Sequence, residues 1–374
     1  MANSGSSSFQ AAVVRQKGGP FQLERIEHAD LRDDEVLVRI VATGMCHTDM
    51  VARDQMYPVP QPIVLGHEGA GVVEAVGARV AKVKPGDHVV LSFLPCGRCR
   101  ACQEGSPASC ENFNVLNFSG GRPDGSHALR DSNGHALNDR FFAQSSFGAY
   151  AVANERNTIR VRDDAPIELL GPLGCGIQTG AGSVLNALKV GAGASFAAFG
   201  GGAVGLSAVM AAVAAGATTI FAIDVVPSRL DLARTLGATH VVNSREQDPV
   251  ALIRRITGSG VDFSLDSTGR PEVVRAAVEA LRPRGMCGIV GASRPGTLLE
   301  LDITDLMQNC KMIRGIVEGD SVPDIFIPRL VDLYMQGRFP FDKLVKFYDF
   351  DRINEAAADS EKGGTIKPII RIGA

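Results

Sequence analysis

The chain has 374 residues, 45% hydrophobic and 21% charged, which fits one large or two moderate globular domains and excludes a disordered or fibrous protein. Its 38 Lys plus Arg against 41 Asp plus Glu leave a formal charge of -3. That is no footprint for phosphate backbones or anionic lipid, so neither nucleic acid nor a membrane is expected as a partner.

The opening residues, MANSGSSSFQ, show no basic stretch followed by an apolar one, so the chain reads as cytoplasmic, without a secretory leader. In that reducing compartment most of its eight cysteines stay thiols, and the four between Cys96 and Cys110 point to a metal.

Short β-type runs at 35–41, 71–76 and 88–91, the last after the Pro85-Gly86-Asp87 turn, make the first half β-rich. Residues 112–148 are rich in Asn, Ser, Gly and Phe with little periodicity, and read as long loops leading to a strand near 150–152. Residues 190–223 carry no charge and on length alone could cross a bilayer. The run is Gly/Ala-rich and broken at Gly200-Gly201-Gly202 and Gly216, so it reads instead as strand, turn, helix and strand.

That rhythm continues, with strands expected at 195–199, 219–223, 240–242, 261–265, 286–290 and 312–316 and helices at 203–215, 228–236, 249–256 and 271–281. Such alternation predicts parallel strands in a doubly wound α/β sheet of the Rossmann type. Beyond residue 319 a helix and a strand at 366–372 are too little for a third core, so the tail is expected to return to the first domain. The expected domains are 1–177, with a metal lobe at about 95–111, then 178–319, and a return segment at 320–374.

Phe199-Gly200-Gly201-Gly202-Ala203-Val204-Gly205 fits G-x-G-x-x-G between an apolar strand and an apolar helix. Gly200 permits the turn, Gly202 lets a pyrophosphate approach the helix start, and Gly205 allows close packing, with Val204 between them. A glycine string in an Ala-rich chain can also be a packing turn. Asp224, about 20 residues on, suits an adenosine ribose and repels a 2′-phosphate, which favours NAD. A solvated strand end is the plainer alternative for it, and Arg229 nearby leaves some room for NADP.

Cys96-x2-Cys99-x2-Cys102-x7-Cys110 offers four thiolates from one short loop, enough to close a tetrahedral structural zinc site. Buried free thiols are the plainer alternative. A nucleic-acid zinc module is another, with slight support from Arg98 and Arg100 and none from the overall acidity. Cys46, His67 and Cys175 are two thiols and an imidazole, the ligand type that leaves zinc an open position. Spacing alone leaves them open to ordinary readings, as packed cysteines and a histidine paired with its neighbour.

Taken together, Gly66-His67-Glu68-x2-Gly71-x5-Gly77, Cys46-His47-Thr48-Asp49, the Cys96–Cys110 lobe, Gly174-Cys175-Gly176 and the glycine loop resemble zinc-dependent alcohol dehydrogenases of the medium-chain dehydrogenase/reductase superfamily. The resemblance covers essentially the whole chain and implies a GroES-like β-rich catalytic domain beside the Rossmann coenzyme domain. It implies two zinc ions per subunit, one on Cys46, His67 and Cys175 and one on the lobe cysteines. By the same resemblance Asp49 orients His67, Glu68 is a carboxylate able to approach the metal, and Thr48 relays the substrate proton. Thr48 could instead cap the helix that starts there. His47, Thr179 and Lys367 fall at family positions near the cofactor, although Lys367 could be a plain surface lysine. Many relatives continue the proton relay to a histidine where this chain has Val51, which leaves the outer route open between His47 and water.

Asn117-Phe118-Ser119-Gly120, Arg122-Pro123-Asp124-Gly125-Ser126, the run from Phe141 to Phe147 and that from Gly171 to Gly180 look like the aryl-alcohol (benzyl-type) and allylic (geraniol-type) subgroup. Phe93, Phe141 and Phe142 would then wall a flat substrate's pocket, unless they are ordinary core. The expectation is hydride transfer between NAD and an aromatic or allylic primary alcohol or its aldehyde, by a homodimer or homotetramer. Oxidation of a polyol or of a glutathione adduct of formaldehyde stays open on the same scaffold, as does a zinc- and nucleotide-binding protein without turnover.

Overall fold

A computed structural model describes residues 8–373 of the chain. The leaderless reading of the N-terminus leans on residues 1–7, which lie outside the described residues. The chain divides into two units. One holds the chain up to Cys175 with Val322–Met335 and the residues from Asp342 onward; the other holds Gly176–Ser321 and Gln336–Phe341. The short piece Gln336–Phe341 was expected with the return segment, but it belongs to the second unit, where Arg338 donates to the Ala214 carbonyl at 3.5 Å.

Among the described residues the first unit carries two sheets. One has the order Ile63–Val64, Ser8–Val14, Phe21–His28, Leu129–Asp131, Ala136–Leu137. The larger runs Thr158–Arg160, His88–Leu91, Glu68–Val76, Glu35–Gly44, Lys367–Arg371, Val345–Asp349, with Tyr150–Asn154 also pairing with Glu35–Gly44. Their shared core takes Val13, Val36, Val38, Ile40, Leu91 and Phe147 from the first half and Tyr348, Ile353 and Ile370 from the tail. The tail therefore completes this core rather than forming its own.

Three features of this unit differ from the sequence reading. The hairpin Ser8–Val14 and Phe21–His28 was not expected, because the second strand offers only Phe21, Leu23 and Ile26 as apolar residues among polar ones. Val345–Asp349, parallel to Lys367–Arg371, was also unexpected. Residues 112–148 are not plain loop: they form a helix at Phe113–Phe118, strands at Leu129–Asp131 and Ala136–Leu137 and a turn at Phe141–Ala143. Elements of two to six residues are too short to imprint a period.

The second unit is a six-stranded parallel sheet in the order His240–Asn243, Thr219–Asp224, Ser195–Phe199, Val261–Asp266, Leu281–Ile289, Met312–Gly315. This is the doubly wound arrangement that places a dinucleotide at the first strand-to-helix turn. The uncharged stretch resolves into strand Ser195–Phe199, helix Ala203–Ala214 and strand Thr219–Asp224. No helix among the described residues is long and apolar enough to cross a membrane.

Candidate metal centres and coenzyme loop

Antiparallel pairing of Glu35–Gly44 with Glu68–Val76 sets Gly44 opposite Glu68, so the exit of one strand meets the entry of the other. Cys46 follows that exit and caps the helix His47–Arg53; His67 directly precedes the entry. Cys175 arrives on the turn Gly171–Gly174, which presses so closely on strand His88–Leu91 that a Cβ on Gly174 would collide with the Leu91 carbonyl. The ligand atoms of Cys46, His67, Glu68 and Cys175 all lie within 4.8 Å of one another.

Asp49 sets the geometry of two of these groups. Its Oδ2 accepts from the Cys46 N–H at 2.9 Å, while its Oδ1 takes the His67 Nδ1 proton at 2.9 Å and the Gly66 N–H at 3.1 Å. With Nδ1 so occupied, the neutral ring presents its Nε2 lone pair. That nitrogen is buried and has no hydrogen-bond partner among the described residues, the state expected of a ring built to bind a metal. A hydrogen bond with Cys175 holds the Cys46 thiol well below its ordinary range against burial, helped by the positive charge of Lys367, so a metal ligand is available as thiolate. The donor set fits zinc.

Glu68 is fully buried, and burial raises its carboxyl. Lys367 opposes this, its Nζ donating to both Glu68 oxygens at 2.9 Å and to the Met45 carbonyl at 3.3 Å. Lys367 is only 2% exposed, so it is neither a surface lysine nor free of an acidic partner. The Thr48 hydroxyl lies 3.7 Å from Cys46 Sγ; the helix cap is Cys46, not Thr48. His47 is exposed, and Val51 is buried.

Phe142 stacks on the His67 ring at 4.4 Å between centroids, and Phe141 meets it edge-on at 5.2 Å. Phe93 joins through Phe113, which itself contacts Phe142. All three predicted phenylalanines are buried in the core of their unit. The half-buried residues Phe113, Phe118 and Tyr57 carry the cluster outward; the sequence reading quoted Phe118 only within a subgroup motif and missed the other two. It also missed Gln144, whose amide donates to the His67 and Ser92 carbonyls and accepts from the Gly69 N–H, clamping the backbone on both sides of Glu68. Its place inside the Phe141–Phe147 motif was the signal that could have singled it out.

Cys96, Cys99, Cys102 and Cys110 converge in the same way, with sulfur separations of 4.0 Å for Cys96–Cys102 and 3.9 Å for Cys99–Cys110. The Arg98 N–H, then that of Cys99, pull the Cys96 thiol down to about 6, whereas burial pushes Cys102 up to about 12. Four sulfurs at this spacing fit a tetrahedral ion with no open corner.

In the second unit, Asp224 accepts from the Val225 and Val226 N–H groups through Oδ1 and from the Gly201 N–H through Oδ2. Gly205 is forced by its neighbour, because a Cβ there would strike the Gly200 carbonyl, while the space beside Gly202 is open. Val204 lies in the first turn of the helix whose N-cap is Gly202. Arg229 approaches Asp224 to 3.8 Å, and its buried Nε has no hydrogen-bond partner among the described residues. Thr179 turns its hydroxyl to Glu318 at 3.5 Å. An open helix start, a fixed carboxylate and an unpaired guanidinium nitrogen fit a dinucleotide.

Residues 32–163 match the alcohol dehydrogenase GroES-like domain, and residues 203–334 match the zinc-binding dehydrogenase domain. The chain belongs to the zinc-dependent alcohol dehydrogenases of the medium-chain superfamily. It is 50% identical over 365 residues to a geraniol dehydrogenase of Castellaniella defragrans, covering 97% of each chain. Among solved structures, it is similar to an alcohol dehydrogenase zinc-binding domain protein of Burkholderia ambifaria at TM-score 0.98 and 59% identity, covering 99% of this chain and 100% of that one. Benzyl alcohol dehydrogenase of Acinetobacter calcoaceticus follows at TM-score 0.96 and 55% identity, over 98% and 100%.

Proposed function

We propose that the chain oxidises aromatic or allylic primary alcohols of benzyl or geraniol type to their aldehydes with NAD, and reduces the aldehydes in reverse. The observation that carries this reading is the His67 ring, fixed by Asp49 at Nδ1, covered by Phe141 and Phe142, and unpaired at the Nε2 that faces two thiols. Cys46, His67 and Cys175 would hold a catalytic zinc, and the lobe cysteines a structural one. Bound zinc supplies Lewis acidity toward an alcohol oxygen, and bound NAD a hydride acceptor.

The side chains do the rest. Asp49 keeps His67 in one tautomer, the Thr48 hydroxyl takes the substrate proton, and exposed His47 beside it offers an outlet that Val51 cannot. The phenylalanine cluster excludes water and matches a flat, conjugated substrate; a polyol or a charged adduct would find no polar partner among these rings. Asp224 accepts from a ribose diol and repels a 2′-phosphate, and Gly200, Gly202 and Gly205 admit the pyrophosphate.

The edge strand Met312–Gly315 is exposed along its whole length, with Leu298, Ile303 and Met307 exposed as well, a surface suited to a second copy of the chain. The proposed state is a cytoplasmic homo-oligomer, and eight cysteines without a disulfide agree with a reducing compartment.

Absorbance of reduced nicotinamide, followed with benzyl alcohol, geraniol, ethanol and sorbitol and with NAD or NADP, tests the reading. The kcat/KM for benzyl alcohol or geraniol should exceed that for ethanol by about 100-fold, with NAD preferred. Equal rates with sorbitol, or no reduction by protein carrying two zinc ions, would reject it.

A further inference from the structure

Glu35 begins the strand Glu35–Gly44 and is 2% exposed, yet it is an acid in an apolar layer. Two guanidinium groups meet it. Arg122 donates its Nε to Oε1 at 2.8 Å and its Nη2 to Oε2 at 2.7 Å, and Arg140 donates its Nη2 to Oε1. The Arg32 N–H completes the set at 3.0 Å. Both arginines are themselves buried, and between them they hold Glu35 below the usual carboxylate range against the pull of burial.

The two arginines stand at either end of one stretch. Arg122 lies four residues after Phe118, and Arg140 directly precedes Phe141 and Phe142. Phe118 contacts both of those rings, at 5.9 and 5.2 Å between centroids. Glu35 thus ties together the chain segments that carry the two halves of the aromatic cluster on His67.

The turn it secures is a costly one. Phe142, Ala143 and Ser145 have φ of 51°, 52° and 51°, left-handed values that non-glycine residues hold only when their surroundings enforce them. A cavity of about 220 Å³ lined in part by Leu94, Leu116, Arg122, Arg140 and Ala143 adjoins the clamp, so close packing does not enforce the turn on that side. The ion pairs do.

We infer that Glu35, through Arg122 and Arg140, is a positioning residue for substrate specificity, holding the Phe118–Phe141–Phe142 wall in the register that selects flat, conjugated alcohols. This rests on the function proposed above. Loosening the clamp should release the turn and degrade binding of a large aromatic alcohol more than turnover of a small one.

The test is Glu35→Gln, which keeps shape and loses charge, together with Arg140→Lys, which keeps charge and loses the planar fork. The second variant guards against misfolding of the first, in which Arg122 loses its ion-pair partner and Arg140 keeps only Asp139, 3.8 Å away. In folded protein with two zinc ions, the ratio of kcat/KM for benzyl alcohol to that for ethanol should fall about tenfold, with KM for benzyl alcohol carrying the change. A ratio unchanged from wild type, equal losses with both alcohols, or failure of both variants to fold would overturn the inference, leaving only a stability role. A wild-type protein that does not oxidise benzyl alcohol or geraniol would instead sink the function itself, and the inference with it.

Discussion

His67→Ala should lower kcat/KM for alcohol oxidation by about a thousandfold or more and remove one of two zinc ions per chain, while the protein stays folded. Phe141 and Phe142 pack on that ring, but few hydrogen bonds depend on it. Asp49, left without His67 Nδ1, still accepts from the Cys46 and Gly66 N–H groups, so the strand ends stay in place. Two thiols and a gap remain, and a ligand set short of one imidazole holds zinc poorly. A loss of several kcal/mol in transition-state stabilisation corresponds to about a thousandfold in rate. Elemental analysis with steady-state rates decides the matter: two zinc ions and near-normal turnover in the variant would show that His67 is a structural histidine.

Cys102→Ser should act on stability rather than on chemistry. The lobe has little besides its sulfurs to hold it: the helices Arg100–Gln103 and Pro107–Ser109 are four and three residues long, well below what is stable alone. Among its four cysteines only Cys96 and Cys110 are buried. Metal binding at such sites is folding free energy, about 10 kcal/mol or more in small zinc modules. The variant should lose the second zinc, melt about 10 °C lower, and become sensitive to protease within residues 95–111. Unchanged melting and protease resistance would mean that the loop is held by something other than a metal.

The two centres differ in how far they could be read from the residues alone. The lobe cysteines lie within one loop, so their spacing already states their convergence. Cys46, His67 and Cys175 come from three segments, and only the pairing of Gly44 with Glu68 and the pressed turn at Gly174 bring them together. For that triad, resemblance carried what local pattern could not.

The coenzyme half was legible in its order and in most of its bounds, because parallel strands buried on both faces are continuous apolar runs. The strands Phe21–His28 and Val345–Asp349 were hidden by interleaved charges, and without the first of them Ser8–Val14 had no visible hairpin partner. Lys367 shows the limit for polar residues most clearly: its partner Glu68 is 299 positions away, and no local signal states that distance. Gln144 and Glu35 belong to the same group, buried polar residues whose meaning comes wholly from what the fold sets against them.

The central claim is that Cys46, His67 and Cys175 share one zinc ion. An anomalous-difference map recorded at the zinc absorption edge from crystals of the full chain tests it most directly. Two peaks per chain are expected, one of them about 2.3 Å from the sulfurs of Cys46 and Cys175. A single peak among Cys96, Cys99, Cys102 and Cys110, with none beside His67, would contradict the account.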